Sequence, residues 1–177
     1  KVLYTEDAGL TWTDRTASGC LYSLYDICFV NDTVGTAVGW GGMVWKTEDA
    51  GLNWVRQQNG VLGVNLVSVD FANISTGSIV GDQFAGEAVV LNTGNGGTLW
   101  EQNYTGSSNE FNAIYSVNKD YRYVVGDNGV IYFTHSGGDN WEVDDSGTTQ
   151  RLRDITQMGS GKLIIVGERG TVLLKDP

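Results

Sequence analysis

Short apolar runs, separated by turn residues, fill the chain from end to end. Between residues 24 and 57, Gly, Asn and Asp residues separate four such runs, at 24–30, 35–39, 43–46 and 53–57. This pattern predicts four short antiparallel strands joined by tight turns. The same order restarts from three further first strands, at 66–71, 111–115 and 152–156. Because no segment shows a helical period, the pattern predicts an all-β protein.

A short motif, Thr-x-(Asp/Asn/Ser)-x-Gly-x-x-Trp, lies between the predicted third and fourth strands of each unit. Its tryptophans recur at intervals of about 43 residues, which is within the range of propeller blades. The four copies place these residues at the defining positions: Thr5, Asp7, Gly9 and Trp12; Thr47, Asp49, Gly51 and Trp54; Thr93, Asn95, Gly97 and Trp100; and Thr134, Ser136, Gly138 and Trp141.

The motif has a physical interpretation as a hairpin turn, which we call a clip. The short polar side chain at its third position is expected to accept hydrogen bonds from backbone N–H groups two residues on. The glycine suits a backbone with positive φ, and the tryptophan anchors the next strand. Asn and Ser replace Asp in two copies. A calcium ligand or a catalytic acid would need the carboxylate that these two residues lack. The clip residues are therefore predicted to be structural.

Four-stranded antiparallel units with this period predict a β-propeller of about four blades. The units cover approximately residues 1–15 (partial), 16–58, 59–104, 105–145 and 146–177 (partial). The second unit carries extra residues around 83–87. Because the chain begins and ends on a predicted third strand, with one strand more than four blades need, we expect it to be part of a larger ring.

Three pieces of sequence carry a resemblance to a known family: Leu-x-Asp-Ile-x-Phe, Gly-x-x-Val-Gly-x-x-Gly and Lys-Thr-Glu-Asp-Ala-Gly-x-x-Trp. Together they resemble the Asp-box (BNR, sialidase-type) repeat, and most of all the photosystem II stability/assembly-factor propellers, over essentially the whole chain. The resemblance implies a ring that is usually seven-bladed and an assembly role that uses a basic surface patch. Arg151 and Arg153 are the basic residues that stand closest to a cluster. Asp-box repeats also occur in sialidases and xyloglucanases.

The net charge and the composition limit the classes of partner and ligand that the protein is expected to bind. With 21 acidic and 11 basic residues the chain carries a net charge of −10, which argues against a nucleic-acid partner. No apolar run approaches the roughly 20 residues that a membrane span needs. We expect no cofactor and no metal, since one histidine (His135, in a clip) and two cysteines support no zinc site.

The residue types needed for hydrolysis are not gathered in a recognisable motif. Asp26 and Asp154 occupy one repeat position, at which we place Ser68 and Asn112 in the other two units. A polar residue at a repeated position is predicted to cap a strand or bond the neighbouring blade. The chain is therefore predicted not to be an enzyme, with a glycoside hydrolase fragment as the alternative.

The candidate binding face is a rim of the ring. Four residues directly follow the Val-Gly ends of the predicted second strands: Trp40, Asp82, Asp127 and Glu168. Exposed propeller loops often carry function, so this rim is predicted to bind another protein or a glycan. A solvated acidic rim is the plainer alternative. A structural subunit of an extracellular assembly, self-associating through open blade edges, is another.

Two further features bear on location. Cys20 and Cys28 are a candidate disulfide, although Cys28 also fits a buried free thiol in an apolar strand. Candidate glycosylation sites occur at Asn31, Asn73 and Asn103. They favour a secreted or extracytoplasmic protein. The chain starts at Lys1 without a signal peptide, so we expect a processed product or a fragment.

Overall fold

The computed structural model describes residues 1–177, and its regular structure is almost entirely β. The only helical segments are three 3-10 turns, at Trp40–Gly42, Asp127–Gly129 and Glu168–Gly170. The strands are β1 (Leu3–Tyr4), β2 (Thr13–Asp14), β3 (Leu24–Phe29), β4 (Gly35–Gly39), β5 (Met43–Thr47), β6 (Val55–Arg56), β7 (Leu66–Phe71), β8 (Gly77–Phe84), β9 (Glu87–Thr93), β10 (Glu101–Asn103), β11 (Phe111–Ser116), β12 (Arg122–Gly126), β13 (Ile131–Thr134), β14 (Glu142–Asp144), β15 (Leu152–Gln157), β16 (Leu163–Gly167) and β17 (Val172–Lys175).

The strands form antiparallel sheets in sequence order. Blade 1 is β3–β6, blade 2 is β7–β10, blade 3 is β11–β14, and blade 4 contains β15–β17. Strands β1 and β2 form a separate hairpin. The first strands of successive blades lie against one another, so β3, β7, β11 and β15 form the innermost layer. The predicted fold class, an all-β propeller that forms part of a ring, is confirmed.

Apolar clusters between successive blades hold the sheets together. The first residue of each later blade seals the interface with the blade before it: Leu66, Phe111 and Leu152 are all fully buried. Leu66 packs with Val38 and Val44 of blade 1, and Leu152 belongs to the cluster between blades 3 and 4. Burying a side chain of this size contributes about 1.5–3 kcal/mol. A blade therefore depends on its neighbours for its core.

The glycine of each Val-Gly pair allows two backbone segments to touch. A Cβ built on Gly81 would overlap the carbonyl oxygen of Asn65, and one built on Gly126 would overlap that of Glu110. The φ angle of Gly126 is −162°, which is extended backbone that any residue adopts. Close approach, rather than backbone conformation, therefore requires glycine at this position.

The clips join the third and fourth strands as predicted, but their hydrogen bonds differ from the expectation. Asp49 Oδ1 accepts a hydrogen bond of 2.8 Å from the N–H of Asn53, four residues on rather than two. Thr47 Oγ1 accepts from the N–H of Gly51 at 2.9 Å. Gly51 has a φ of 84°, so its lack of a side chain is needed here. The threonine and the aspartate thus each accept a hydrogen bond from a different backbone N–H group of the same wide turn.

The candidate disulfide between Cys20 and Cys28 is not formed, and both are free thiols. Cys28 packs against the cluster between blades 1 and 2. Cys20 packs against a different cluster, which contains Trp45 and Trp54. The two thiols therefore belong to different packing clusters of blade 1.

The extra residues of the second unit lengthen a hairpin. Strands β8 and β9 pair as far as Phe84 and Glu87, across a turn at Ala85 and Gly86. The other three blades have a 3-10 turn at this point. Blade 2 therefore has a longer hairpin here than the other three blades.

Candidate functional site

The four candidate binding residues lie on one rim, which we call the turn rim. Each backbone N–H donates to the carbonyl oxygen of the residue just before the first strand of its own blade. The bonds are Trp40 to Ser23 (2.9 Å), Asp82 to Asn65 (2.9 Å), Asp127 to Glu110 (2.9 Å) and Glu168 to Arg151 (2.8 Å). This repeated contact spreads the four side chains over four blades rather than gathering them at one point.

Each of the three acidic candidates on the turn rim has a polar partner. Asp127 pairs with Arg151, and Glu168 pairs with Arg153. The hydrogen bond to Asp127 raises the pKa of Arg151. Asp82 Oδ2 accepts from Asn65 Nδ2 at 2.6 Å. The rim is therefore not a uniformly acidic surface.

Arginines collect at the blade 4 end of the turn rim. Arg151 and Arg153 flank the start of β15, and Arg169 occupies the 3-10 turn at φ 54°, where asparagine or glycine stands in the other two turns. Arg169 is exposed and has no carboxylate within 4 Å. The proximity of Arg151 and Arg153 in sequence signalled part of this cluster, but the contribution of Arg169 was missed.

Trp40 forms an aromatic pair with Tyr22 on the same rim. The two rings stack with centroids 4.6 Å apart and planes 30° apart. Trp40 is 46% exposed and Tyr22 is 47% exposed. Two exposed leucines belong to the adjoining loops: Leu21 directly precedes Tyr22, and the Leu62 backbone lies close to Gly42. We call these four residues the aromatic platform; sequence reasoning found only Trp40.

The loop that carries Leu62 is fixed to the turn below Trp40. Asn59 Nδ2 donates to the carbonyl of Gly42 at 2.8 Å, and the N–H of Gly63 donates to the carbonyl of Gly41 at 3.3 Å. Trp40 itself is anchored to Ser23, the residue after Tyr22. The backbone on both sides of Trp40 is thus held by hydrogen bonds, which reduces the entropy lost when a ligand binds.

Two clefts lie on the opposite rim, which carries the clips. One has a volume of about 520 Å³ and lies between the clips at 93–100 and 134–141. A second, of about 400 Å³, lies between the clips at 47–54 and 93–100. Both are lined mostly by polar side chains. The sequence gave no sign of them, because each cleft needs residues from two blades.

The candidate carboxylate Asp26 bonds the neighbouring blade. Its Oδ2 accepts from the N–H of Val69 at 2.8 Å and from Ser68 Oγ at 3.0 Å. Asp154, at the same position in blade 4, accepts only from the N–H of Ile155. Placing Asn112 at this position was wrong: Ala113 pairs with Val125 as Asp26 pairs with Val38, so Ala113 stands there. These residues do not form opposed carboxylates across a groove.

A second inter-blade carboxylate, Asp70, is mostly buried. It accepts from the N–H of Ser116 at 2.5 Å and from Cys28 Sγ at 3.7 Å, so it links blades 1, 2 and 3. Burial raises the pKa of Asp70 above its ordinary value. Burial also raises the pKa of Cys28 to about 11, so this thiol stays protonated at neutral pH.

No group of three His, Cys, Asp or Glu side chains is arranged to hold a metal ion. The Nδ1 atom of His135 lies 3.3 Å from Glu142 Oε1 at the surface. The helical segments, each a single 3-10 turn, are too short to cross a bilayer.

The family model of the photosynthesis system II assembly factor YCF48 matches residues 19–175. The chain belongs to this family. No curated protein matches it.

Several solved structures share the fold of this chain. A structure of YCF48 bound to a D1 peptide has a TM-score of 0.71 at 22% identity; the match covers 88% of this chain and 52% of that one. YCF48 from Cyanidioschyzon merolae gives the same TM-score and identity, over 88% of this chain and 54% of that one. A GH74 enzyme from Niastella koreensis has a TM-score of 0.64 at 18% identity, over 77% and 23%. The chain therefore spans about half the length of the YCF48 structures it matches.

Proposed function

We propose that this YCF48-family chain is a non-enzymatic module that holds a segment of a partner protein across its turn rim. The aromatic platform carries the proposal, since stacked, half-exposed rings on anchored backbone are typical of binding hot spots. Trp and Tyr supply a large contact area at a small cost in conformational entropy. Family membership supports an assembly or binding role rather than catalysis.

The arginines at the other end of the turn rim suit a polar or acidic part of the same partner. Arg169 has no carboxylate partner, while Arg151 and Arg153 are paired within the rim. A ligand carboxylate would meet one free guanidinium flanked by two others. YCF48 binds a D1 peptide in a solved complex, so a D1 peptide is a suitable first probe for this chain.

A glycan is the second candidate, because the stacked rings of Tyr22 and Trp40 also suit the apolar face of a sugar ring. The likeness to a GH74 enzyme, at 18% identity, concerns the fold alone. We further propose an extracytoplasmic location, which the exposed sequons at Asn31 and Asn73 support.

The test is a titration of the protein with a fluorescent D1 peptide and, in parallel, with a panel of oligosaccharides. We expect the peptide to bind and the W40A variant to weaken binding by about 30-fold or more, as a hot spot does. W12A is the matched control: Trp12 is 58% exposed but belongs to a clip, so its loss should leave binding unchanged. Equal effects of W40A and W12A, or binding of glycans alone, would contradict the proposal.

A further inference from the structure

In each of the two clefts on the clip rim, one cation lies close to an equivalent clip glycine: Lys46 in the smaller cleft and Arg122 in the larger, which Lys119 also lines. A Cβ built on Gly96 would lie 3.8 Å from Lys46 Nζ, and one built on Gly137 would lie 3.9 Å from Arg122 Nη2. Gly96 and Gly137 hold the same position in successive clips. The cations come from different strands: Lys46 lies on β5 of the preceding blade, and Arg122 lies on β12 of the same blade as Gly137. Two unrelated sequence positions thus place a positive charge next to equivalent turns of two clips.

In the smaller cleft the cation is paired. Lys46 Nζ lies 2.7 Å from Glu48 Oε1. Glu48 is the second residue of the clip at 47–54 and reaches the cation from the surface. At the second position of the next clip stands Gly94, which has no side chain to offer.

In the larger cleft the guanidinium of Arg122 is buried and has no carboxylate in direct contact. Three carboxylates act on its charge from further away: Asp70, Asp120 and Asp139. Arg122 is 1% exposed and is the largest fully buried side chain of the chain. It donates to Ser78 Oγ, to Asn92 Oδ1 at 3.0 Å and to the carbonyl of Lys119 at 3.0 Å. Its Nε has no partner, and no carboxylate lies within 4 Å of it. A buried guanidinium donor without an acceptor is unfavourable, and a carboxylate in contact with it would relieve this cost.

The larger cleft has room for the missing group. Its volume is about 520 Å³, against about 400 Å³ for the cleft that holds Glu48. A Cβ built on Gly94 would have no neighbouring atom within 4 Å. The space therefore begins at the position from which Glu48 projects in the smaller cleft.

We propose that the larger cleft binds a carboxylate group of a ligand, at the place that Glu48 fills in the smaller cleft. Glu101, Asp120 and Asp139 also line this cleft. They favour a singly charged carboxylate over phosphate or a polyanion, since like charges repel. The site lies on the rim opposite the aromatic platform and does not depend on the function proposed for that platform.

The first test introduces a carboxylate into the larger cleft by a substitution at Gly94. In G94E the introduced side chain should reach Arg122, while G94Q has the same length and no charge. We expect G94E to melt about 3 °C or more above G94Q, and its carboxylate to titrate below the ordinary value of about 4.3. The same melting temperature for G94E and G94Q would overturn the proposal.

The second test identifies the source of the carboxylate. Backbone amide NMR shifts of Gly94, Lys119 and Gly137 are followed while acetate, or the blocked peptide acetyl-Gly-Glu-Gly-amide, is added. Shifts with the glutamate peptide but not with its glutamine analogue would assign a partner's acidic side chain. Saturable shifts with acetate alone would assign a small free carboxylate. An absence of shifts with both probes would overturn the site.

Discussion

The carboxylate of Asp26 in blade 1 accepts a hydrogen bond of 2.8 Å from the backbone N–H of Val69 in blade 2. Val69 is 4% exposed, so water cannot replace this bond. The contact couples neighbouring blades at the innermost strands, where the ring depends on their alignment. A residue that resembled a catalytic acid in the sequence therefore serves the packing of the blades.

Removing this carboxylate should destabilise the protein. D26A leaves the buried N–H of Val69 without an acceptor, and a hydrogen bond to a charged group is worth about 1.5–3 kcal/mol. D154A is the matched control, because Asp154 is exposed and bonds only the N–H of Ile155, so it should cost about 0.5 kcal/mol. Urea unfolding measures both, and equal losses would show that the bond between blades adds nothing.

The close backbone contact at Gly81 predicts an unusually costly alanine substitution. In G81A the new Cβ would overlap the carbonyl of Asn65, which also accepts the N–H of Asp82. We expect a loss of about 2 kcal/mol or more, as for an overpacked core. Gly94 offers the comparison, because its Cβ would meet open space, so G94A should be neutral or slightly stabilising. Similar melting temperatures for the two variants would disagree with this account.

Because of the clip carboxylates, we expect the free energy of unfolding to fall in acid. Hydrogen bonds from Thr11 lower the pKa of Asp7 from 3.8 to about 2, and those from Asn53 lower the pKa of Asp49. A group whose pKa is lower in the folded state stabilises it above the unfolded pKa and loses that effect as the pH falls. Stability should therefore decline between about pH 4 and pH 2.

The double variant D7N/D49N isolates this effect. Asparagine keeps the acceptor oxygen, as Asn95 does when it accepts from the N–H of Leu99 at 2.9 Å. We expect the variant to fold and its free energy of unfolding to change less than the wild type's between pH 5 and pH 2. An identical decline in both proteins would assign the acid sensitivity to other groups.

The sequons differ in their access to a glycosyltransferase. Asn31 is exposed, and its side-chain oxygen accepts from Thr33 and Val34, which leaves Nδ2 free. Asn73 has the same arrangement. The Nδ2 of Asn103 instead donates to the carbonyl of Gly138 at 2.8 Å. After secretion from a eukaryotic host, peptide mass spectrometry should find glycan on Asn31 or Asn73; glycan on Asn103 alone would refute this.

The blades could be predicted from the sequence because their signals are local. The strands at 35–39 and 66–71 were predicted with the bounds that the structure shows, since glycines and polar turns mark both ends. The position of Asn112 was misassigned. All four blades have a bulge after the first residue of the inner strand, and Ala113, two residues after Phe111, takes the place of Asp26, two residues after Leu24. The pairing with the second strand, rather than the apolar pattern, defines this position.

The rims could be predicted only in part. A residue after Val-Gly must reach the rim, which correctly placed Trp40 and Asp127 there. Their partners depend on tertiary structure: Arg151 comes from the next blade, and Tyr22 comes from the loop before β3. The charge of the rim was therefore misjudged. For the same reason, the burial of Arg122 between two blades left no trace in the sequence.

The measurement that tests the central claim most directly is amide hydrogen exchange with and without the D1 peptide. If the turn rim binds the partner, exchange should slow at residues 21–23, 40–42 and 61–63, which carry and anchor the aromatic platform. The clips at 47–54 and 93–100 should exchange at unchanged rates. Protection confined to the clips, or no protection anywhere, would contradict the account.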